Sequence, residues 1–290
     1  MQALRKNKLL CNTPDDPHYL AYMEWGDKSN PNVLICVHGL MRNAYDFEVL
    51  ATELSKEYRV LAVDVVGRGQ SDWLQNYQNY NYGTYVSDLL NLCFTLNLTQ
   101  VDWVGTSMGG LIGMMIASLP NSPIHKLVMN DIGAYVPQTA LQRIATYISQ
   151  DAPHFADLNA AELYFREIYQ PFGELSAAQW QHIAKHSVRP TPEGDLTLIY
   201  DPNIPKAFIP EGQTVESIQA VELWEVWNNV QCPTLILRGA ESDLLQAETV
   251  QRMQQGRDNV HSITVPKVGH APSLMIPEQI EWVRSWLLSE

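Results

Sequence analysis

The sequence predicts an α/β fold: a mostly parallel central sheet flanked by helices, with a helical cap inserted after about the sixth strand. Three observations carry this. Short β-branched runs alternate with amphipathic stretches through the first half of the chain, as strands crossing over through helices do. The run Val33-Leu34-Ile35-Cys36-Val37 is apolar throughout, which fits a central strand covered on both faces. From about Tyr135 to Asn229 the strand rhythm stops and amphipathic helical stretches replace it, then strands resume after Pro233. The expected organisation is a core of residues 1–134 and 230–290 with a cap of residues 135–229.

The elements follow in order. His18 to Trp25 reads as an early strand closed by the turn-rich Gly26-Asp27-Lys28-Ser29-Asn30-Pro31. After Val33–Val37, a helix is expected from about Ala44 to Lys56, because Phe47, Leu50, Ala51 and Leu54 recur at helical spacing. Tyr58 to Val63 is a strand, Tyr85 to Leu96 a helix, Val101 to Val104 a strand, and Leu111 to Leu119 an apolar helix stopped by Pro120. Ile124 to Met129 is the next strand. Arg189 to Pro210 is studded with proline and reads as irregular. Thr234–Leu237 and Val260–Val265 are late strands, and Ala247–Met253 and Pro277–Leu288 late helices.

Composition narrows the class. The chain has 290 residues, 46% of them hydrophobic, enough for a substantial core. Its formal charge of -13 disfavours nucleic acid and anionic membrane surfaces as partners. A small-molecule substrate is expected instead, with the protein a monomer or homodimer. The cysteines, Cys11, Cys36, Cys93 and Cys232, form no metal-binding spacing, so neither a metal nor a disulfide is expected. Arg5, Lys6 and Lys8 precede only Leu9-Leu10, too short for an export signal, and no run approaches a membrane span, so a cytoplasmic location is expected.

The chemistry concentrates at Gly105-Thr106-Ser107-Met108-Gly109, between an expected strand and an expected helix. A strand-to-helix turn this sharp leaves no room for side chains beside the serine, hence a glycine on either side. Ser107 is the candidate nucleophile. A serine hydroxyl needs an adjacent base, and His270 in Val268-Gly269-His270-Ala271-Pro272 lies in a small-residue loop after a late strand. Asp243, in Gly239-Ala240-Glu241-Ser242-Asp243, is the expected acid that orients His270, in the chain order Ser, Asp, His. Glu241 and Asp131 are placed where they could also serve. Val37-His38-Gly39-Leu40 ends the buried strand, and the backbone N–H groups of Leu40 and Met108 are the expected oxyanion donors.

Together with Asp64-Val65-Val66-Gly67-Arg68-Gly69-Gln70-Ser71, these motifs resemble the α/β-hydrolase superfamily, in particular its bacterial cap-bearing esterase-like members. The resemblance spans His38 to His270. It implies an α/β-hydrolase fold, a scaffold role for Asp64 and Ser71, and a helical cap over the site; the sequence itself gives no sign of a nucleotide cofactor, and none is expected. A carboxylic ester is the expected substrate, with thioester, enol-lactone or carbon–carbon hydrolysis, or a non-catalytic receptor, as alternatives. Thr106 and Leu40-Met41-Arg42 depart from the asparagine and glycine-rich loop usual in the carbon–carbon hydrolases. Arg42 and Arg189 are candidates for a substrate carboxylate, and Trp224 for an apolar wall.

Overall fold

The computed structural model describes residues 4–13, 16–209 and 212–289. Its strands are β1 (Arg5–Thr13), β2 (Asp16–Trp25), β3 (Val33–Val37), β4 (Arg59–Asp64), β5 (Val101–Thr106) and β6 (Ile124–Asn130). Five short strands follow: β7 (Tyr135–Val136), β8 (His154–Phe155), β9 (Val188–Pro190), β10 (Leu196–Leu198) and β11 (Val221–Glu222). The chain then returns to the core as β12 (Thr234–Gly239) and β13 (Val260–Val265). The helices are α1 (Glu48–Leu54), α2 (Tyr82–Thr95), α3 (Met108–Ala117), α4 (Gln138–Ile148), α5 (Leu158–Ile168), α6 (Ala177–Ser187), α7 (Ile204–Phe208), α8 (Trp224–Asn229), α9 (Ala247–Gln254) and α10 (Pro277–Leu288).

The main sheet runs β1-β2-β4-β3-β5-β6-β12-β13. Its β1–β2 and β2–β4 pairs are antiparallel and the others parallel. Every residue of β3 is buried, because helices cover both faces of the sheet. Burying side chains such as Leu34 and Ile35 completely stabilises the fold by about 1.5–3 kcal/mol each. Trp103 ties this sheet to α3 by donating its indole N–H to the Gly109 carbonyl at 3.1 Å.

Three differences from the sequence reading have physical causes. β1 was not anticipated, because Arg5, Lys6 and Lys8 mask the alternation. These charges suit an edge strand, where they discourage further pairing. The Ala44–Lys56 helix divides into a 3₁₀ turn (Ala44–Phe47), in which the Asn43 side chain caps the Tyr45 amide, and α1. Of the segment Arg189–Pro210, Pro210 lies outside the described residues, and the rest is more regular than expected, since it carries β9, β10 and α7, and β8-β10-β9 form a small sheet.

Residues between β6 and β12 carry α4 to α8 and have their own apolar cluster, in which Phe155, Phe165, Trp180 and Leu198 pack together. Among the described residues no helix is long and apolar enough to cross a membrane.

Candidate active site

Ser107 stands between the end of β5 and the start of α3 with φ of 52° and ψ of -114°. A left-handed φ on a non-glycine residue costs about 1–3 kcal/mol and persists only where packing enforces it. The enforcing contacts are local. A Cβ on Gly105 would lie 2.2 Å from the Gly109 carbonyl oxygen, and one on Gly109 would lie 2.0 Å from that of Val37. Only glycine lets β3, β5 and α3 approach this closely.

The Ser107 hydroxyl lies 3.0 Å from His270 Nε2, so the expected pair is assembled. The acid is where the sequence reading needs correcting. His270 Nδ1 lies 2.7 Å from Asp131 Oδ2, not against Asp243. Asp131 is fully buried after β6, and its carboxylate also accepts the Gly239 amide at 2.7 Å and the Ser242 hydroxyl at 2.6 Å. Those bonds offset the cost of holding a carboxylate out of water. Asp243 instead points to the surface, where Arg143 of α4 donates to it through Nε at 2.6 Å and Nη2 at 2.9 Å. Glu241, the other alternative, is also exposed.

Supporting residues escaped the sequence reading. Asn130 donates to Thr106 Oγ1 at 3.0 Å and to the Pro272 carbonyl at 2.8 Å, linking the strand before Ser107 to the His270 loop. Ser242 also accepts the Leu244 and Leu245 amides, which fixes its hydroxyl toward Asp131. The signal for both was the Asn130-Asp131 and Ser242-Asp243 dipeptides at strand ends. Only the β6–β12 pairing reveals that they meet.

The loop after β3 is held by buried groups. His38 Nε2 accepts the Val65 amide at 3.0 Å, which leaves its proton on Nδ1, donated to the Gly39 carbonyl at 2.7 Å. Burial drives the His38 pKa down to about 3. Asp64 accepts the Ala44 and Gln70 amides, and Ser71 donates to the Asp64 carbonyl, the bracing expected of them. Burial raises the Asp64 pKa to about 6. Arg68, fully buried, donates from Nε to the Leu40 carbonyl at 2.9 Å. Met108 is the first residue of α3, at the positive end of the helix.

Two cavities of about 450 Å³ each meet at Ser107 and share Leu40 and Ile144. One is walled by Arg42, Arg143, Tyr147, Tyr169, Phe172 and His270. The other is more apolar, with Met108, Leu111, Met115, Ile132 and Phe208 in its wall. Arg42 does reach the first cavity, but it is buried and bonded to Asp46 and Ser187. Arg189 and Trp224 line neither cavity. Arg189 stacks on Trp73 at 4.9 Å, and Trp224 packs beneath Arg252 at 3.7 Å. Two groups of potential metal ligands, Cys11/His18/Asp88 and Glu48/His182/His186, lie outside both cavities. In the first, His18 is already bonded to Asp88 and to the Asp16 carbonyl.

Residues 32–274 match the model of the α/β hydrolase fold family. A 3-hydroxybutyrate-oligomer hydrolase of Cupriavidus necator is 42% identical over 275 residues, covering 93% of each chain. Among solved structures, a chain from Rickettsia typhi superposes with a TM-score of 0.89 at 34% identity, covering 99% of both chains. An α/β hydrolase from Novosphingobium aromaticivorans gives 0.83 at 33% identity, covering 97% of this chain and 98% of its own.

Proposed function

Since the chain belongs to the α/β hydrolase family, we propose that it cleaves carboxylic esters through an acyl-enzyme on Ser107, with His270 as base and Asp131 as orienting acid. The observation that carries this is the unbroken hydrogen-bond chain from Ser107 through His270 to Asp131, opening on cavities large enough for a small ester.

The steps follow from that geometry. Ser107 Oγ attacks the ester carbonyl as His270 Nε2 takes its proton. The buried Asp131 carboxylate, fixed by its other donors, stabilises the imidazolium. The N–H groups of Leu40 and Met108 receive the oxyanion, and Arg68 holds the Leu40 peptide from behind. His270 then protonates the leaving alcohol. A water, deprotonated by His270, attacks the acyl-enzyme, and Ser107 regains its proton as the acid leaves.

Residues 135–229 act on this reading as a cap over the core of residues 1–134 and 230–290, contributing Ile144, Tyr147, Tyr169 and Phe172 to the cavity walls. The substrate class favoured by the 42% identical relative is a short ester oligomer of a hydroxy acid. Two cavities meeting at the nucleophile suit a substrate with a residue on each side of the cleaved bond.

The test is intact mass after fluorophosphonate treatment of wild type and Ser107→Ala, followed by turnover of 3-hydroxybutyrate trimer and p-nitrophenyl butyrate. One adduct, absent from the variant, with cleavage of both substrates, is expected. No adduct on folded wild type overturns the acyl-enzyme. An adduct with no cleavage of the trimer overturns only the substrate class.

A further inference from the structure

We propose that Arg143 forms a subsite for the terminal carboxylate of the substrate, an inference that rests on the ester-oligomer reading above. The chain is strongly acidic, with a formal charge of -13. Yet the cavity holding Ser107 and His270 is lined by Arg42 and Arg143 and, among the described residues, by no aspartate or glutamate. Each arginine has a carboxylate partner, Asp46 for Arg42 and Asp243 for Arg143, so what this wall offers an anion is whatever guanidinium donors those partners leave unused.

The two arginines differ in what they have left to give. Arg42 is buried; its Nε and Nη2 bond Asp46, its Nη1 bonds Ser187 at 2.7 Å, and the guanidinium lies against Tyr169 at 4.8 Å. Every nitrogen of that guanidinium is committed. Arg143 uses only one edge, Nε and Nη2, on Asp243. Its Nη1 has no partner among the described residues, so the second edge of the fork is open. A guanidinium offers five donors in a fixed plane, so a partner on one edge orients the other toward a second carboxylate. Asp243 is thereby a positioning residue: it holds Arg143 without exhausting it. Arg143 and Asp243 are both about half exposed (47% and 49%), so a ligand can enter without breaking a buried pair.

The opposite cavity has no such opening. Its Arg68 is spent on the Leu40 and Val66 carbonyls and the Tyr85 hydroxyl, and much of the remaining wall is apolar. The acid end of a hydroxy-acid oligomer therefore lies on the Arg143 side of Ser107, and the rest of the chain occupies the apolar side.

The experiment compares 3-hydroxybutyrate trimer as the free acid with the same trimer carrying a terminal carboxamide, on wild type and Arg143→Gln. The readout is the ratio of kcat/KM for acid over amide. We expect the variant to lower that ratio about tenfold or more, mainly through KM for the acid, the size of a lost charge-assisted hydrogen bond. A partly misfolded variant depresses both substrates alike and leaves the ratio intact. An unchanged ratio, with wild type cleaving both trimers, overturns the subsite and leaves the esterase reading standing. Wild type that cleaves p-nitrophenyl butyrate but neither trimer overturns the subsite together with the substrate class, while Ser107 chemistry stands.

Discussion

Asp131 and Asp243 follow the C-terminal ends of β6 and β12, strands that lie side by side in the sheet. Asp131 is fully buried, receives the Gly239 amide and the Ser242 hydroxyl, and meets His270. Asp243 is half exposed and pairs with an arginine of the insertion. The same side chain in the same kind of loop is fixed in one case and exchangeable in the other. What separates them is how many neighbouring donors are already aimed at the carboxylate when the chain folds.

The largest effect should come from Asp131→Asn. It keeps the shape but removes the charge that holds the His270 tautomer, and kcat should fall about 10³–10⁴-fold on p-nitrophenyl butyrate. If Asp243→Asn fell that far and Asp131→Asn did not, the contrast would be reversed. Asp243→Asn should leave kcat on the same substrate nearly unchanged, since it acts only through Arg143 and this ester carries no terminal carboxylate.

Smaller effects are read as stability. Ser242→Ala removes a buried donor from Asp131 and should lower unfolding free energy by about 1–3 kcal/mol in urea melts. A loss below that range would mean that water replaces the hydroxyl. The His38 loop gives a pH signature. Its folded pKa, about 3, lies below the ordinary histidine value, so folding favours the neutral ring. The stability this contributes is present above about pH 6.5 and is lost as pH falls toward 3. Between pH 6.5 and 5 the loss should be about 2 kcal/mol. His38→Gln should be less stable at both pH values but should show that much less pH dependence. A slope equal to that of wild type would remove His38 as its source. Least of all, Asp243→Asn should change stability by about 0–1 kcal/mol, and less in high salt, as an exposed ion pair does.

Local signals made much of this molecule legible. The elbow glycines, the apolar β3 run and the His270 loop each state their geometry within a few neighbouring residues. The aspartate that meets His270 did not, because both aspartates sit after strands and both obey the order Ser, Asp, His. The deciding contacts come from Gly239 and Ser242, more than a hundred residues beyond Asp131, and exist only because β6 pairs with β12. β1 was hidden for the opposite reason, since an edge strand needs little apolar surface. The insertion's rings divide in a way that composition cannot show: Phe155, Phe165 and Trp180 form its core, whereas Tyr147, Tyr169 and Phe172 face the cavity.

The elbow also constrains how this chain can change. With the Val37 carbonyl 2.0 Å from where a Gly109 Cβ would stand, and the Gly109 carbonyl 2.2 Å from where a Gly105 Cβ would stand, even alanine at either site must push a strand away from a helix. Mutational walks that preserve Ser107 are thus barred from two positions beside it. Heritable variation in what the protein accepts is channelled into the side chains of α4, α5 and the segment after it, which wall the cavity without bearing on the turn.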